Sequence, residues 1–239
     1  MNREINPQVY ARVGGVLYLI IIALGMVEEF FIRGRITVAG DAAATFANLH
    51  SMERLWRTGI AIELVIGIIT IVLSVILYVL TRPVQKELAL LALLFGSIAT
   101  AVEIAYSIQL VEALFPLGKS AYLTAFSPGQ LQAMTALAMK AHVFGFGIAL
   151  LLFGPFFLVT GYLIFKSGYL PKPIGVLYQL AGLGYMFNGF VLVLAPQLAG
   201  PAFMIMAVPA FLGETSFAAW LLIKGVRIEG WQASLPLEP

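Results

Sequence analysis

Apolar residues fill long runs of this chain, and polar ones gather in short breaks between them. A helix rising 1.5 Å per residue needs about 20 apolar residues to cross a hydrocarbon core of ~30 Å. Six runs meet that length: about Gly14 to Ile32, Gly59 to Leu80, Leu88 to Phe115, a stretch within Leu131 to Phe165, Ile174 to Ala195, and Pro201 to Ile223. The pattern predicts an all-α polytopic membrane helix bundle, a single integral membrane domain over residues 1–239 with about six transmembrane helices. The run after Arg12 is longer than a secretory apolar core and ends in charges instead of a small-residue cleavage site, which marks it as a retained helix.

The breaks carry their own pattern. In GDAAATFANLHSMERLWRTG, Asp41 stands at an N-cap position, and Phe46, Leu49, Met52, Leu55 and Trp56 follow at helical spacing. This predicts an amphipathic helix in the first outer loop, lying at the membrane interface. FPLGKSAYLTAFSPGQ has Pro116 and Pro128 as stops, and IEGWQASLPLEP reads as a solvated tail. With the N-terminus inside, eight basic residues (Arg3, Arg12, Arg82, Lys86, Lys166, Lys172, Lys224, Arg227) lie on the inner side, against six outside (Arg33, Arg35, Arg54, Arg57, Lys119, Lys140). The expected orientation puts both termini in the cytoplasm.

Composition makes the lipid bilayer an obligatory partner. With 61% hydrophobic and 11% charged residues and a mean hydropathy of +0.96, the excess apolar surface must face lipid. A net charge of +2 with basic residues only at segment ends excludes a nucleic-acid-binding stripe. The absence of cysteine excludes disulfides, thiolate metal sites and Cys nucleophiles. HExxH, ExxH, GxSxG and Walker signatures are missing from the sequence. No cofactor is specified.

What remains is a set of ionisable groups inside apolar runs, where each costs on the order of 3 kcal/mol if unpaired in lipid. Winding each helix at about 100° per residue puts Glu63, Gly67, Thr70 and Ser74 within a sector of about 60°. Ser97, Thr100, Glu103 and Ser107 share a wider one. Glu28 and Glu29 fall on a common face with Tyr18, and Glu29 stands four residues before Arg33, the spacing of an ion pair. Glu28, Glu63 and His142 come roughly 5 to 8 Å inside the outer edge, whereas Glu103 and Glu214 lie about 18 to 20 Å deep. Asn188 adds an amide, and Lys140 points about 160° away from His142. The candidate ligand-binding set is therefore Glu63, Glu103, Glu214, His142, Glu28 and Asn188, an outward-opening acidic cavity with a floor shared by Glu103 and Glu214.

RVGGVLYLIIIALGMVEEF also echoes PKPIGVLYQLAGLGYMFNGF at an offset of 160, pairing Gly15 with Gly175, Tyr18 with Tyr178 and Glu28 with Asn188. ARVGGVLYLIIIALGMVEEFFIRGRI, GDAAATFANL, SGYLPKPIGVLYQLAGLGY and PAFLGETSFAAWLLIKGV together resemble a family of bacterial multi-pass membrane proteins known only as a domain of unknown function. The resemblance implies six membrane helices and brings no substrate or catalytic residue.

Three functions fit these residues. The first is binding or transport of a small cationic or protonated ligand by the acidic cavity. The second is a structural or accessory subunit whose carboxylates pair across helices, with other membrane subunits as partners. The third is a metal-dependent membrane enzyme in which the glutamates and His142 hold Zn or Mn.

Overall fold

The computed structural model describes residues 6–235, and among them it contains helices and turns but no strand. Six helical stretches are long and apolar enough to cross a membrane: Pro7–Ile36, Glu53–Thr81, Lys86–Leu117, Pro128–Lys166, Lys172–Leu194 and Pro196–Ile223. The chain is thus an all-α, multi-pass membrane protein. Its main helices are α1 (Pro7–Met26), α2 (Ala42–Ser51), α3 (Glu53–Thr81), α4 (Lys86–Tyr106), α5 (Pro128–Lys166), α6 (Lys172–Leu194), α7 (Ala199–Ile223) and α8 (Ile228–Ala233). Spans begin earlier than hydropathy predicts because polar residues cap them. The Asn6 side chain accepts the Gln8 amide at 3.0 Å ahead of Pro7, and Pro128 starts α5 instead of merely ending the loop before it. α5 and α7 continue through Pro155 and Pro209. Arg3, one of the basic residues used to orient the chain, lies outside the described residues.

The chain divides into two compact units. One takes in the described residues up to Ile22, then Ile69–Thr100 and everything described from Gly147 onward. Within it α5 and α6 run antiparallel on three rungs of glycine. Gly161 faces Gly175, Gly154 faces Gly182, and Gly147 faces Gly189, seven residues apart along each helix. A Cβ on Gly182 would lie 2.7 Å from the Gly154 carbonyl oxygen, and one on Gly175 would lie 2.7 Å from that of Gly161. Membrane helices have no hydrophobic drive to associate with each other, so backbone approach of this kind supplies the van der Waals contact that holds them.

The same unit corrects the reading of the tail. Residues 228–233 form α8, and Trp231 is buried, its Nε1 donating to the Leu80 carbonyl at 3.2 Å. Tyr169 Oη donates to that same carbonyl at 2.7 Å, and burial pushes the Tyr169 phenol above its ordinary pKa. Gln8 closes the other side, donating to the Lys224 carbonyl and accepting from the Val226 amide, both at 3.0 Å. The indole outweighs the polar residues around it, because a large apolar ring with one donor is best placed where a free carbonyl ends a helix.

The second unit comprises Ala23–Ile68 and Ala101–Phe146. Its core joins Ile32, Ile36, Leu49, Trp56, Leu110, Ala113 and Leu114. Asp41 caps α2 as predicted, its Oδ1 accepting the Ala44 amide at 2.9 Å. The apolar face of α2 does not rest on lipid, however. Leu49 is wholly buried in the core, and the Asn48 amide donates to the Ile36 carbonyl at 3.2 Å. The helix also ends at Ser51, so Leu55 and Trp56 belong to α3, where Trp56 Nε1 donates to the Leu110 carbonyl at 2.9 Å.

Candidate functional site

The two glutamates of GMVEEFFIRG part company in the structure. Residues Val27–Arg33 form a π-helical turn, widened by one residue, in which the Gly34 amide reaches back to the Glu29 carbonyl. In an α-helix Arg33 would meet Glu29 at i,i+4. In the wider turn it meets Glu28 at i,i+5. Arg33 Nε and Nη2 donate to Glu28 Oε1 at 3.0 and 2.7 Å, and Glu29 is left exposed. The predicted Glu29–Arg33 pair is thus replaced by Glu28–Arg33.

Arg33 also reaches a second carboxylate. Its Nη2 donates to Glu63 Oε2 across to α3. Gly59, one turn before Glu63, permits this approach, since a Cβ there would meet Ile32 Cγ2 at 3.1 Å. The other oxygen of Glu63 accepts from Ser107 Oγ and faces His142 Nε2 at 3.1 Å. An ionised carboxylate only accepts hydrogen bonds, so Nε2 carries a hydrogen. Glu28, Glu63 and His142 are 6, 4 and 3% exposed, which makes this a buried network of two carboxylates, one guanidinium and one imidazole. Lys140 is exposed, on the opposite side of its helix from His142.

Of the six predicted site residues, the structure brings Glu28, Glu63 and His142 together. Glu103 belongs to the same unit, and the charged groups that act on it are Glu63, Glu28 and Arg33. Glu214 and Asn188 belong to the other unit. Tyr185 Oη donates to Glu214 Oε1, and Asn188 is buried on α6. Glu103 and Glu214, the two deep carboxylates, thus fall in different units.

The family described as a domain of unknown function, DUF4386, matches residues 13–225. The chain belongs to this family. An uncharacterized protein of Archaeoglobus fulgidus is 32% identical over 161 residues, which is 67% of this chain and 80% of the relative. No solved structure matches it significantly.

The match runs through every residue of the buried network, so the network lies inside the DUF4386 domain and not in an appendage to it. Its central cation is one that helical spacing assigned to the wrong partner. Arg33 occupies the position between Glu28 and Glu63 that a bound cation would take. Among the described residues no group of three or more His, Asp and Glu side chains is placed to hold a metal ion. Beside Arg33 lies a narrow crevice lined by Trp56, Gly59, Ile60 and Leu110. Ser107 and Tyr185 were missed as partners because a hydroxyl on an apolar helix is as common in packing as in binding.

Proposed function

We propose that this DUF4386 protein binds, and by binding transports, a small cationic or protonated ligand at the Glu28, Glu63 and His142 cluster. One observation carries the reading: a guanidinium of the protein's own chain bridges two buried carboxylates, while His142 and Ser107 meet the second oxygen of one of them. Two carboxylates exceed the single fixed charge of Arg33. A cluster with that excess accepts one more positive charge, as a ligand that takes over a carboxylate from Arg33. The ligand class is a compact ammonium or guanidinium, whose donors match those Arg33 presents. In the same reading the protein sits in the bacterial inner membrane with both termini in the cytoplasm, supported by the basic connections around Arg82 to Lys86 and Lys166 to Lys172.

Thermal unfolding of the full chain in nanodiscs, with guanidinium, methylammonium or choline added, tests this. At least one cation should raise the midpoint of the wild type, and Glu63→Gln should abolish the rise. No stabilisation by any of them, or the same stabilisation in Glu63→Gln, would favour the second reading, a structural or accessory subunit. The tightness of the crevice beside Arg33 is the observation on that side.

A further inference from the structure

The other buried carboxylate has surroundings of a different kind. Tyr185 Oη donates to Glu214 Oε1, and the Tyr18 hydroxyl lies against the same carboxyl. Tyr178 Oη donates to Tyr18 Oη across 2.5 Å. A phenol has a single proton. With Tyr178 donating into a lone pair of Tyr18, the Tyr18 proton is left for Glu214, and donation runs from Tyr178 through Tyr18 to the carboxyl, with Tyr185 donating independently. Three helices, α1, α6 and α7, supply the four side chains, all within one compact unit.

Two features decide what such a site takes. No Arg, Lys or His pairs with Glu214 among the described residues, and the groups that act on it are the phenols. An ionised carboxylate there has donors but no counter-cation. The rings around it also touch one another: Phe157 lies 4.8 Å from Tyr178 and 4.9 Å from Tyr185, and Tyr178 lies 5.1 Å from Phe217, centre to centre. Rings in contact leave no cage for an organic ammonium. The cation that fits is the smallest one.

We propose that Glu214, Tyr18, Tyr178 and Tyr185 form a proton-binding site inside the membrane span. Loading forms one O–H bond on a Glu214 oxygen, with the proton drawn from water, and release returns it there. The carboxylate accepts from two phenols, and the carboxylic acid donates to one of them once that hydroxyl rotates about its C–O bond. Its residues belong to the other unit from Glu28, Arg33, Glu63 and His142, and its failure would leave that reading untouched.

Infrared difference spectra of the full chain in nanodiscs, taken between alkaline and acidic buffer, test the assignment. A carboxylic-acid C=O band should titrate in the wild type, vanish in Glu214→Gln, survive in Glu63→Gln, and shift in frequency in Tyr185→Phe and Tyr18→Phe. A Glu214→Gln spectrum retaining every titrating carboxyl band of the wild type overturns the proposal. So does a band that sodium ions bleach at constant pH, because the occupant is then a metal cation. If Glu214→Gln does not fold, Tyr185→Phe decides, since it keeps the ring and removes only the hydroxyl. A titrating band that neither phenol variant moves would also rule the site out.

Discussion

At the scale of single residues, position in the turn separates two chemically identical side chains. Glu28 and Glu29 are neighbours, yet one is buried against Arg33 and the other faces out. Replacing Glu28 by Gln removes the charge from a buried, doubly contacted acceptor and should destabilise the fold by about 2 kcal/mol. Glu29→Gln should stay within about 0.5 kcal/mol of wild type, as an exposed substitution does. Equilibrium unfolding of the two variants in the same detergent checks the order, and a larger loss in Glu29→Gln would mean that Arg33 keeps the α-helical pairing. The sequence hid this choice for a definite reason. VEEFFIR doubles both Glu and Phe, so a slip of one residue replaces like with like and leaves the polar and apolar pattern almost unchanged. Periodicity cannot detect a π-turn placed on doublets. It did locate Glu63 and His142, because α3 and α5 keep α-helical register around them.

At the scale of elements, α5 and α6 show what small residues contribute in a membrane. Gly147, Gly154 and Gly161 on one helix and Gly175, Gly182 and Gly189 on the other stand at seven-residue spacing in the sequence, but the ladder they form appears only when the two helices are set antiparallel. Gly182→Ala would drive a methyl toward backbone atoms, the Gly154 carbonyl and the Leu158 amide, both under 3.0 Å away, and backbone has no rotamer by which to yield. We expect a loss of about 1–3 kcal/mol, the range of overpacked cores. Gly25→Ala is the control, since a Cβ there meets nothing within 4 Å and the helix gains propensity of about 0.5–1 kcal/mol. Thermal unfolding midpoints in detergent should therefore move in opposite directions. If Gly182→Ala matches wild type, the two backbones are not in contact at that rung. The echo between the first and fifth spans belongs to this scale as well. The tyrosines it pairs, Tyr18 and Tyr178, bond to each other, and its polar pair, Glu28 and Asn188, is buried at both positions. Both members of each of these pairs are therefore buried.

At the scale of the whole molecule, hydropathy was enough for the fold class, because nothing but lipid can cover so much apolar surface, and the six runs counted in the sequence return as six helices long enough to cross. Function was less legible, since charges inside spans mark where chemistry is expensive but not which partner each charge will find. Orientation rests on charge alone, and it yields the last prediction. We propose that six crossings return the chain to its starting side and that the described N- and C-terminal ends both lie in the cytoplasm, as the basic connections around Arg82 to Lys86 and Lys166 to Lys172 favour. The chain has no native cysteine, so single labels report cleanly. Ala43, exposed on α2, and Gln232, exposed on α8, are suitable positions, whereas Trp231 beside the latter is buried and would disturb the Leu80 contact. In intact cells an impermeant maleimide should label Ala43→Cys and not Gln232→Cys, and permeabilised cells should label both. Labelling of Gln232→Cys from outside would invert the orientation, and labelling of both from outside would mean that one of the six apolar helices does not cross.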